Sequence, residues 1–158
     1  LSVYISKLNN IENIEVLPYH NLGKFKYKEL GLEYALGDIE ELSEERLKNA
    51  KRFEKTRFTA YIEEVKETLK EIGRKKIIIS GMETHICVYQ TARDLINDGY
   101  DVFVVKDSVS SRTKDNYLNG LSMMESMGAV VTNTETVIFD LLKKAGTPEF
   151  KVLSKLIK

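Results

Sequence analysis

The sequence predicts an α/β fold, in which a parallel sheet of about four strands has helices on both faces. Short runs of apolar, mostly β-branched residues recur along the 158-residue chain. Between these runs, apolar residues recur every three or four positions, which is the spacing of the inner face of a helix. Helices that alternate with short apolar strands imply parallel pairing through right-handed crossovers.

The first third of the chain carries the weakest pattern. The stretch IEVLPYH, residues 14–20, is predicted as a strand, and Ser43, followed by two glutamates, favours the start of a helix. The pattern changes near Phe53. We therefore expect a boundary there, between a partial βα segment over residues 1–52 and a second part over residues 53–158, both within one compact unit.

The remaining strands are short and apolar. The strand at residues 77–80 is expected to be buried on both faces, because it is continuously apolar and β-branched. A second buried strand is predicted at residues 102–107, and a third strand at residues 129–132.

Four helices are predicted from apolar residues at helical spacing, and glycines follow three of them. They cover residues 62–72, 88–96, 114–127 and 136–145. In the third of these helices, Leu118, Leu121 and Met124 are expected to face inward.

The composition limits the class of partner. Lysine plus arginine and aspartate plus glutamate number 24 each, so the net charge is zero and no basic excess indicates nucleic acid. No apolar run approaches the length of a membrane span, and no stretch resembles a signal peptide. The single cysteine forbids an internal disulfide and suits a reducing compartment. We therefore expect a cytoplasmic protein with neither nucleic-acid nor membrane partners.

That cysteine, Cys87, is the first candidate functional residue. It follows Gly81 by six residues, where the predicted strand 77–80 gives way to a helix. Sites in open α/β sheets lie beyond the carboxyl ends of the strands. A helix N-terminus stabilises a thiolate, and its free N–H groups could hold the oxyanion formed in acyl transfer. The alternative is that Cys87 is a small buried hydrophobic residue.

Four sequence blocks occur in order and at matching separations, and together they resemble the isochorismatase-like cysteine hydrolase family. They are FEKTRFTAY (53–61), GMETHICVYQTARDL (81–95), DVFVVKDSVSSRT (101–113) and GAVVTNTETVIFDLL (128–142). The resemblance covers about residues 53–158. It implies a Rossmann-like three-layer α/β sandwich, a homo-oligomer, and catalysis by a cysteine, a lysine and an aspartate on a small-molecule substrate.

The resemblance assigns roles to particular residues. The nucleophile falls on Cys87 and the lysine that polarises the site falls on Lys55. A non-prolyl cis peptide falls at Met82–Glu83, so that the N–H groups of Glu83 and Cys87 form the oxyanion hole. Lys55 has a plainer alternative, because a lysine in such a cation-rich stretch is usually solvated surface.

Histidine and metal chemistry are not expected. His85 makes a tempting base for Cys87, but a residue at a helix start is expected to cap the helix or line the cleft instead. One cysteine and two separated histidines make no ligand cluster, so neither a metal nor another cofactor is predicted.

The catalytic aspartate has no clear counterpart. The family places it at the end of the first strand, and nothing before Lys55 is an apolar strand followed by aspartate. Asp38 lacks the strand, Glu15 lies inside its predicted strand, and Asp107 matches a noncatalytic position. We therefore expect an incomplete catalytic triad and impaired hydrolysis.

The stretch ISKLNNIENIEVLPYHNLGKFKYKELGLEYAL, within residues 1–50, resembles the C-terminal end of pyruvate formate-lyase activating enzymes, which are radical AdoMet proteins. His20 would lie near the AdoMet site of that family. The three-cysteine motif that binds its cluster cannot occur in a chain with one cysteine, so radical chemistry is excluded. The chain would then be a hybrid of two βα fragments, with strand 14–20 completing a four-stranded sheet.

Two functions follow from these observations. The first is a cysteine hydrolase acting on a small amide, imidate or vinyl ether. The second is a noncatalytic hybrid scaffold in which Cys87 is a relic. Unpaired sheet edges favour a homo-oligomer in either case.

Overall fold

The computed structural model describes residues 51–156, and the chain from Phe53 onward forms a compact unit. The predicted strand at 14–20, the helix start at Ser43, and Glu15, His20 and Asp38 lie outside the described residues. The elements are helix α1 (Glu63–Ile72), strand β1 (Lys76–Met82), a π-helical turn (Thr84–Val88), α2 (Tyr89–Asn97), β2 (Asp101–Ser110), α3 (Lys114–Ser126), β3 (Val130–Thr132), α4 (Thr134–Leu142) and α5 (Pro148–Leu156).

The described sheet has the strand order β1-β2-β3, and both pairs are parallel. Ile79 pairs with Val104 of β2, and Val104 pairs in turn with Val131 of β3. The predicted α/β fold with a parallel sheet is therefore confirmed. Three of the expected strands lie in the described part of the chain.

Burial differs sharply between the strands. Val104 and Val105, which are consecutive in β2 and so point to opposite faces, are both buried. In β1, Ile79 is buried but Ile78 is 50% exposed, so the expectation that β1 is buried on both faces is wrong. The reason is that Ile78 belongs to an open row across the sheet, because its neighbour Phe103 pairs with Val130, which is also 50% exposed.

The core lies where α2 and α3 pack on the sheet. Val88, Ala92 and Leu95 form the buried stripe of α2 and its preceding turn, as predicted. In α3, Met124 is buried and Leu121 is partly buried, but Leu118 is 50% exposed. The inward stripe instead runs through Tyr117, Gly120, Leu121 and Met124. This set has the i, i+3, i+4, i+7 spacing, which leaves Leu118 off the inner face.

Some element boundaries differ from the sequence prediction, and one helix was not predicted. Strand β2 continues to Ser110, past a register shift relative to β1, instead of ending at Asp107. Helix α4 ends at Leu142, before Gly146, where Lys143 adopts a positive φ of 60°. Helix α5 was not predicted; the hydroxyl of Thr147 accepts a hydrogen bond from the Phe150 N–H at 3.1 Å at its start. None of the helices within residues 51–156 is long and apolar enough to cross a membrane.

Candidate active site

Cys87 lies in the π-helical turn Thr84–Val88, which we call the Cys87 turn. The turn joins the end of β1 to the start of α2, and the Val88 N–H donates to the Glu83 carbonyl at 3.2 Å. Helical backbone thus starts at Thr84, earlier than the predicted start near residue 88, and places Cys87 inside the first helical turn. The side chain is half-buried. Short π-helical insertions of this kind are frequent at functional sites.

The residue before the turn, Glu83, ties two strand ends together. The peptide bond Met82–Glu83 is cis, at the position that the resemblance implied. The Glu83 carboxylate accepts a hydrogen bond from Arg112 Nε at 3.1 Å, and Arg112 follows the end of β2. Glu83 Oε2 also lies 3.6 Å from His85 Nδ1, which is 3.0 Å from Ser111 Oγ. These polar contacts join the carboxyl ends of β1 and β2.

The same contacts define the surroundings of His85. Its Nδ1 is engaged by Ser111 and Glu83, and no hydrogen bond joins its ring to Cys87 within residues 51–156. That His85 is not the base stays a prediction. In that part of the chain no carboxylate hydrogen-bonds to the Cys87 sulfur either, and no group of acidic, histidine or cysteine side chains could hold a metal ion.

Helix α3 supports the Cys87 turn at very short range. A Cβ atom added at Gly120 would lie 2.8 Å from the His85 backbone nitrogen and 2.9 Å from the Thr84 carbonyl carbon. Glycine is therefore required at this crossing, because any side chain would push the turn or the helix away. Thr84 is fully buried there, and its hydroxyl has no hydrogen-bond partner among the described residues.

Lys55 lies on a segment with no helix or strand, which we call the Lys55 segment, residues 53–61; its residues 54–58 are exposed, and Thr59 and Tyr61 are buried. Its Nζ donates to the carbonyls of Arg57 at 2.9 Å and Phe58 at 3.0 Å, so the amine is folded onto its own segment. Lys55 is thus exposed, as the plainer alternative of a solvated surface lysine describes. The contacts of the described residues do not include a hydrogen bond between Lys55 and Cys87.

A threonine connects the two regions. The Ala60 N–H donates to Thr91 Oγ1 at 2.8 Å, and the Thr91 hydroxyl donates to the Cys87 carbonyl at 2.7 Å. Thr91 lies one helical turn after Cys87 in α2. Glu83 therefore lies directly before the Cys87 turn, and Cys87 lies within it. The Thr91 hydroxyl attaches the segment that carries Lys55 to this turn.

The Lys55 segment has a second attachment to α2. The ring of Tyr61 is buried and packs edge-on against Tyr100, with centroids 6.0 Å apart. Its hydroxyl donates to Asp98, just past the end of α2, at 2.8 Å. Burial raises the pKa of Tyr61, and the hydrogen bond to Asp98 raises it further.

Asp107, which the resemblance matched to a noncatalytic position, contacts the first residue of α4. Its carboxylate accepts hydrogen bonds from the Thr134 N–H at 2.9 and 3.1 Å and from the Thr134 hydroxyl at 3.1 Å. Thr134 is the first residue of α4. The carboxylate therefore satisfies a free N–H at a helix N-terminus, where negative charge is favourable.

Three residues of the site were not singled out from the sequence: Thr91, Arg112 and Gly120. The sequence did point to Thr91, because a threonine four residues after Cys87 shares its helix face. Gly120 had a weaker one, because a glycine inside a helix often marks a close packing contact. Arg112 had none, since its partner Glu83 is 29 residues away.

Comparison with known proteins gives a consistent result. The model of the isochorismatase domain matches residues 27–136. The chain is similar to the secreted isochorismatase effector Isc1 of Phytophthora sojae, with 45% identity over 70% of this chain and 53% of the relative. The chain spans about half the length of the curated relatives that it matches.

Solved structures agree. One similar structure is the MAR1 ribonuclease from Caenorhabditis elegans, with a TM-score of 0.62, 38% identity, and coverage of 71% of this chain and 60% of that one. Another is YcaC from Pseudomonas aeruginosa with hexane-2,5-diol and covalent acrylamide, with a TM-score of 0.58, 25% identity, and coverage of 64% and 51%. The domain match begins at residue 27, inside the segment that resembled a radical AdoMet protein, and the comparisons give that second resemblance no support.

Proposed function

The chain belongs to the isochorismatase family, and on that basis we propose that it is a cysteine hydrolase whose nucleophile is Cys87. The substrate would be a small amide or a related acyl compound. The Cys87 sulfur would bond to the carbonyl carbon and expel the amine, and water would then hydrolyse the thioester. The N–H groups of Glu83 and Cys87 would hold the oxyanion, and Lys55 would polarise the site.

One observation carries the proposal: the half-buried Cys87 lies in the first helical turn after the carboxyl end of β1. This is the edge of a parallel sheet where sites of α/β proteins are found. The N–H groups and partial positive charge of a helix N-terminus favour a negatively charged sulfur and a negatively charged oxyanion. The covalent acrylamide in the similar YcaC structure supports it, because acrylamide is an electrophile that thiolates attack.

We further propose that hydrolysis by the chain is slow. The family's first-strand aspartate has no counterpart in the sequence of residues 1–52, and no described carboxylate bonds to the Cys87 sulfur. Loss of one member of a nucleophile–base unit lowers turnover by several orders of magnitude. Alkylation of Cys87, which needs only a thiolate, would then remain easy while amide hydrolysis is weak.

The experiment uses the fact that Cys87 is the only thiol in the sequence. The rate of adduct formation with iodoacetamide and with acrylamide is measured by intact-protein mass spectrometry between pH 5 and 10. We expect one adduct, and the midpoint of the rate profile is compared with that of free cysteine, about 8.5. A panel of small amides, imidates and vinyl ethers is assayed in parallel, with Cys87→Ser as the control.

A midpoint near that of free cysteine, together with no hydrolysis that depends on Cys87, would overturn the proposal. The noncatalytic scaffold would then be the better description, and Cys87→Ala would change only packing. Turnover abolished by both Cys87→Ala and Lys55→Ala would instead establish both roles.

A second candidate activity comes from the similar nematode protein, which is described as a ribonuclease. Against it stands a net charge of zero, which gives no electrostatic attraction to phosphates. The same preparation is therefore incubated with single-stranded RNA. RNA cleavage that is lost in Cys87→Ser would favour this candidate over the amide hydrolase.

Two further expectations accompany the proposal. We propose a homo-oligomer, to be tested by light scattering at two protein concentrations. We propose a cytoplasmic location, although the similar Phytophthora sojae protein is named as secreted. Fractionation of the source cells and their medium decides between the two locations.

A further inference from the structure

The link between the two proposed catalytic regions passes through one side chain. The Thr91 hydroxyl accepts a hydrogen bond from the Ala60 N–H and donates one to the Cys87 carbonyl. The N–H···O bond of 2.8 Å is slightly shorter than usual, and the O–H···O bond of 2.7 Å has the usual length. The Thr91 hydroxyl therefore donates its only proton to the Cys87 carbonyl and accepts from the Ala60 N–H.

Half of this arrangement is ordinary. A threonine inside a helix often donates to the carbonyl four residues before it, as Thr91 does to Cys87. The other half is not local, because Ala60 lies 31 residues away. A bond of that kind fixes the position of one segment relative to another. Here the two segments are the ones that carry Lys55 and Cys87.

The remaining contacts of the Lys55 segment show why this bond matters. Tyr61 is anchored to Asp98, beyond the far end of α2 from Cys87. Toward Lys55, residue 59 is buried, but the chain from residue 54 to Phe58 is exposed and the Lys55 amine bonds to carbonyls of its own segment. Within residues 51–156, the hydrogen bond nearest to Lys55 that reaches the helix of Cys87 is therefore the one through Thr91.

We propose that Thr91 is a positioning residue, whose hydroxyl sets the place of Lys55 relative to the Cys87 turn. The inference rests on the proposed function, because it needs Lys55 to act on the Cys87 thiol. Thr91 itself touches no reacting atom in this account. It acts by holding Ala60, and through Ala60 the segment in which Lys55 lies.

The test compares four variants with the wild-type chain by the pH profile of iodoacetamide alkylation at Cys87. Thr91→Val keeps the shape but removes the hydroxyl, and Thr91→Ser restores it. Lys55→Gln removes the cation, and the fourth variant combines Lys55→Gln with Thr91→Val. We expect Thr91→Val to slow alkylation at neutral pH about tenfold, because a displaced Lys55 would no longer stabilise the negative charge on the sulfur.

Three further results are required. Thr91→Ser should alkylate at the wild-type rate. Lys55→Gln should slow alkylation at least as much as Thr91→Val, and the double variant should be no slower than Lys55→Gln alone, because Thr91 acts through the lysine. Amide hydrogen exchange at Ala60 should accelerate in Thr91→Val and return to the wild-type rate in Thr91→Ser.

Tyr61→Phe is the matched control, since it removes the other attachment of the same segment without touching Thr91. It should lower stability and leave the alkylation profile unchanged. If Thr91→Val has the wild-type profile while Lys55→Gln is slow, Thr91 is only structural and the proposed function stands. If Lys55→Gln also has the wild-type profile, the lysine role in the proposed function fails, and the positioning role is overturned with it. Should Thr91→Val not fold, the exchange rate of Ala60 and the alkylation profile are measured in Thr91→Ala, to which the same outcomes apply.

Discussion

The Cys87 turn and the Lys55 segment carry the two proposed catalytic side chains, and the protein holds them in different ways. The turn is enclosed by β1, α2 and α3, and Gly120 of α3 approaches its backbone closely. The Lys55 segment has no regular structure; Ala60 bonds to Thr91 of α2, and Tyr61 bonds to Asp98, just past α2, and is buried in the core. Close packing fixes the turn that carries Cys87, whereas hydrogen bonds and the buried Tyr61 ring hold the segment that carries Lys55. The turn should therefore be sensitive to added volume, and the segment to loss of a single hydroxyl.

The largest expected effect tests the packing of the turn. In Gly120→Ala, the new methyl group must displace the backbone of His85 or Thr84, because it would lie under 3.0 Å from both. Overpacking of this kind costs about 1–3 kcal/mol, partly offset by the better helix propensity of alanine, up to about 1 kcal/mol. Urea denaturation should show the loss, and the alkylation rate of Cys87 should change with it. Asn119→Ala, at an exposed neighbour, is the control and should leave both quantities near the wild-type values.

A smaller effect is expected from Tyr61→Phe, which tests the hold on the Lys55 segment. Loss of the hydrogen bond to Asp98 should lower the free energy of unfolding by about 1 kcal/mol. The pKa of Tyr61 is raised by burial and by Asp98, so the folded state keeps the phenol proton more tightly than the unfolded state does. The contribution of the protonated Tyr61 side chain to stability is thus complete below about pH 10, the usual tyrosine pKa. It is lost as pH rises toward the higher pKa of the folded state.

The pH dependence gives this prediction its own check. The stability difference between the wild-type chain and Tyr61→Phe should shrink from pH 9 to pH 11 in chemical denaturation. A difference that stays constant or grows over this range would contradict the assignment of the raised pKa to Tyr61. Asp98→Asn should reproduce only part of the loss, because the asparagine amide oxygen can still accept a hydrogen bond from the Tyr61 hydroxyl.

Asp107, which bonds to the first residue of α4, offers a comparable test of a single hydrogen-bonding side chain. Asp107→Ala removes the acceptor of the Thr134 N–H and hydroxyl, and should cost about 1 kcal/mol at an exposed helix start. Asp107→Asn keeps one acceptor oxygen and should lose less. Neither variant should alter the alkylation of Cys87. A drop in Cys87 reactivity in both variants would show that this carboxylate reaches the thiol after all.

The smallest effect is expected at Arg112. Its ion pair with Glu83 is partly exposed, since the arginine side chain is 47% and the glutamate side chain 27% accessible. Such pairs contribute about 0.2–1 kcal/mol and weaken with salt. Arg112→Gln should therefore lower stability slightly at low salt and converge with the wild-type chain near 1 M salt. A loss that persists at high salt would mean that Arg112 acts through packing.

Much of the fold followed from sequence because its signals are local. The apolar run from Ile77 and the stripe Val88, Ala92, Leu95 each record the environment of one element, and both lie where the pattern predicted. Helix α5 also had a local signal, because Thr147 before Pro148 is typical of a helix start. The extension of β2 beyond Asp107 had only a short signal, because a single apolar residue, Val109, alternates there with two serines.

The candidate site was predictable only in part, for a physical reason. Cys87 and Glu83 were identified because they sit in a motif that surrounds one turn. The contacts that assemble the site join residues far apart: Ala60 with Thr91, and Arg112 with Glu83. A sequence records each partner separately and gives no sign of the pairing. The exposure of Ile78 escaped prediction likewise, since it depends on whether a helix covers that row of the sheet.

That open row has a practical consequence for handling the protein. Ile78, Phe103 and Val130 lie side by side across three strands, and both outer members are half accessible to water. A contiguous exposed apolar stripe promotes aggregation at high protein concentration and adsorption to surfaces. Replacing Val130 with threonine, which keeps the branched shape, should improve recovery in concentrated solution at little cost to folding.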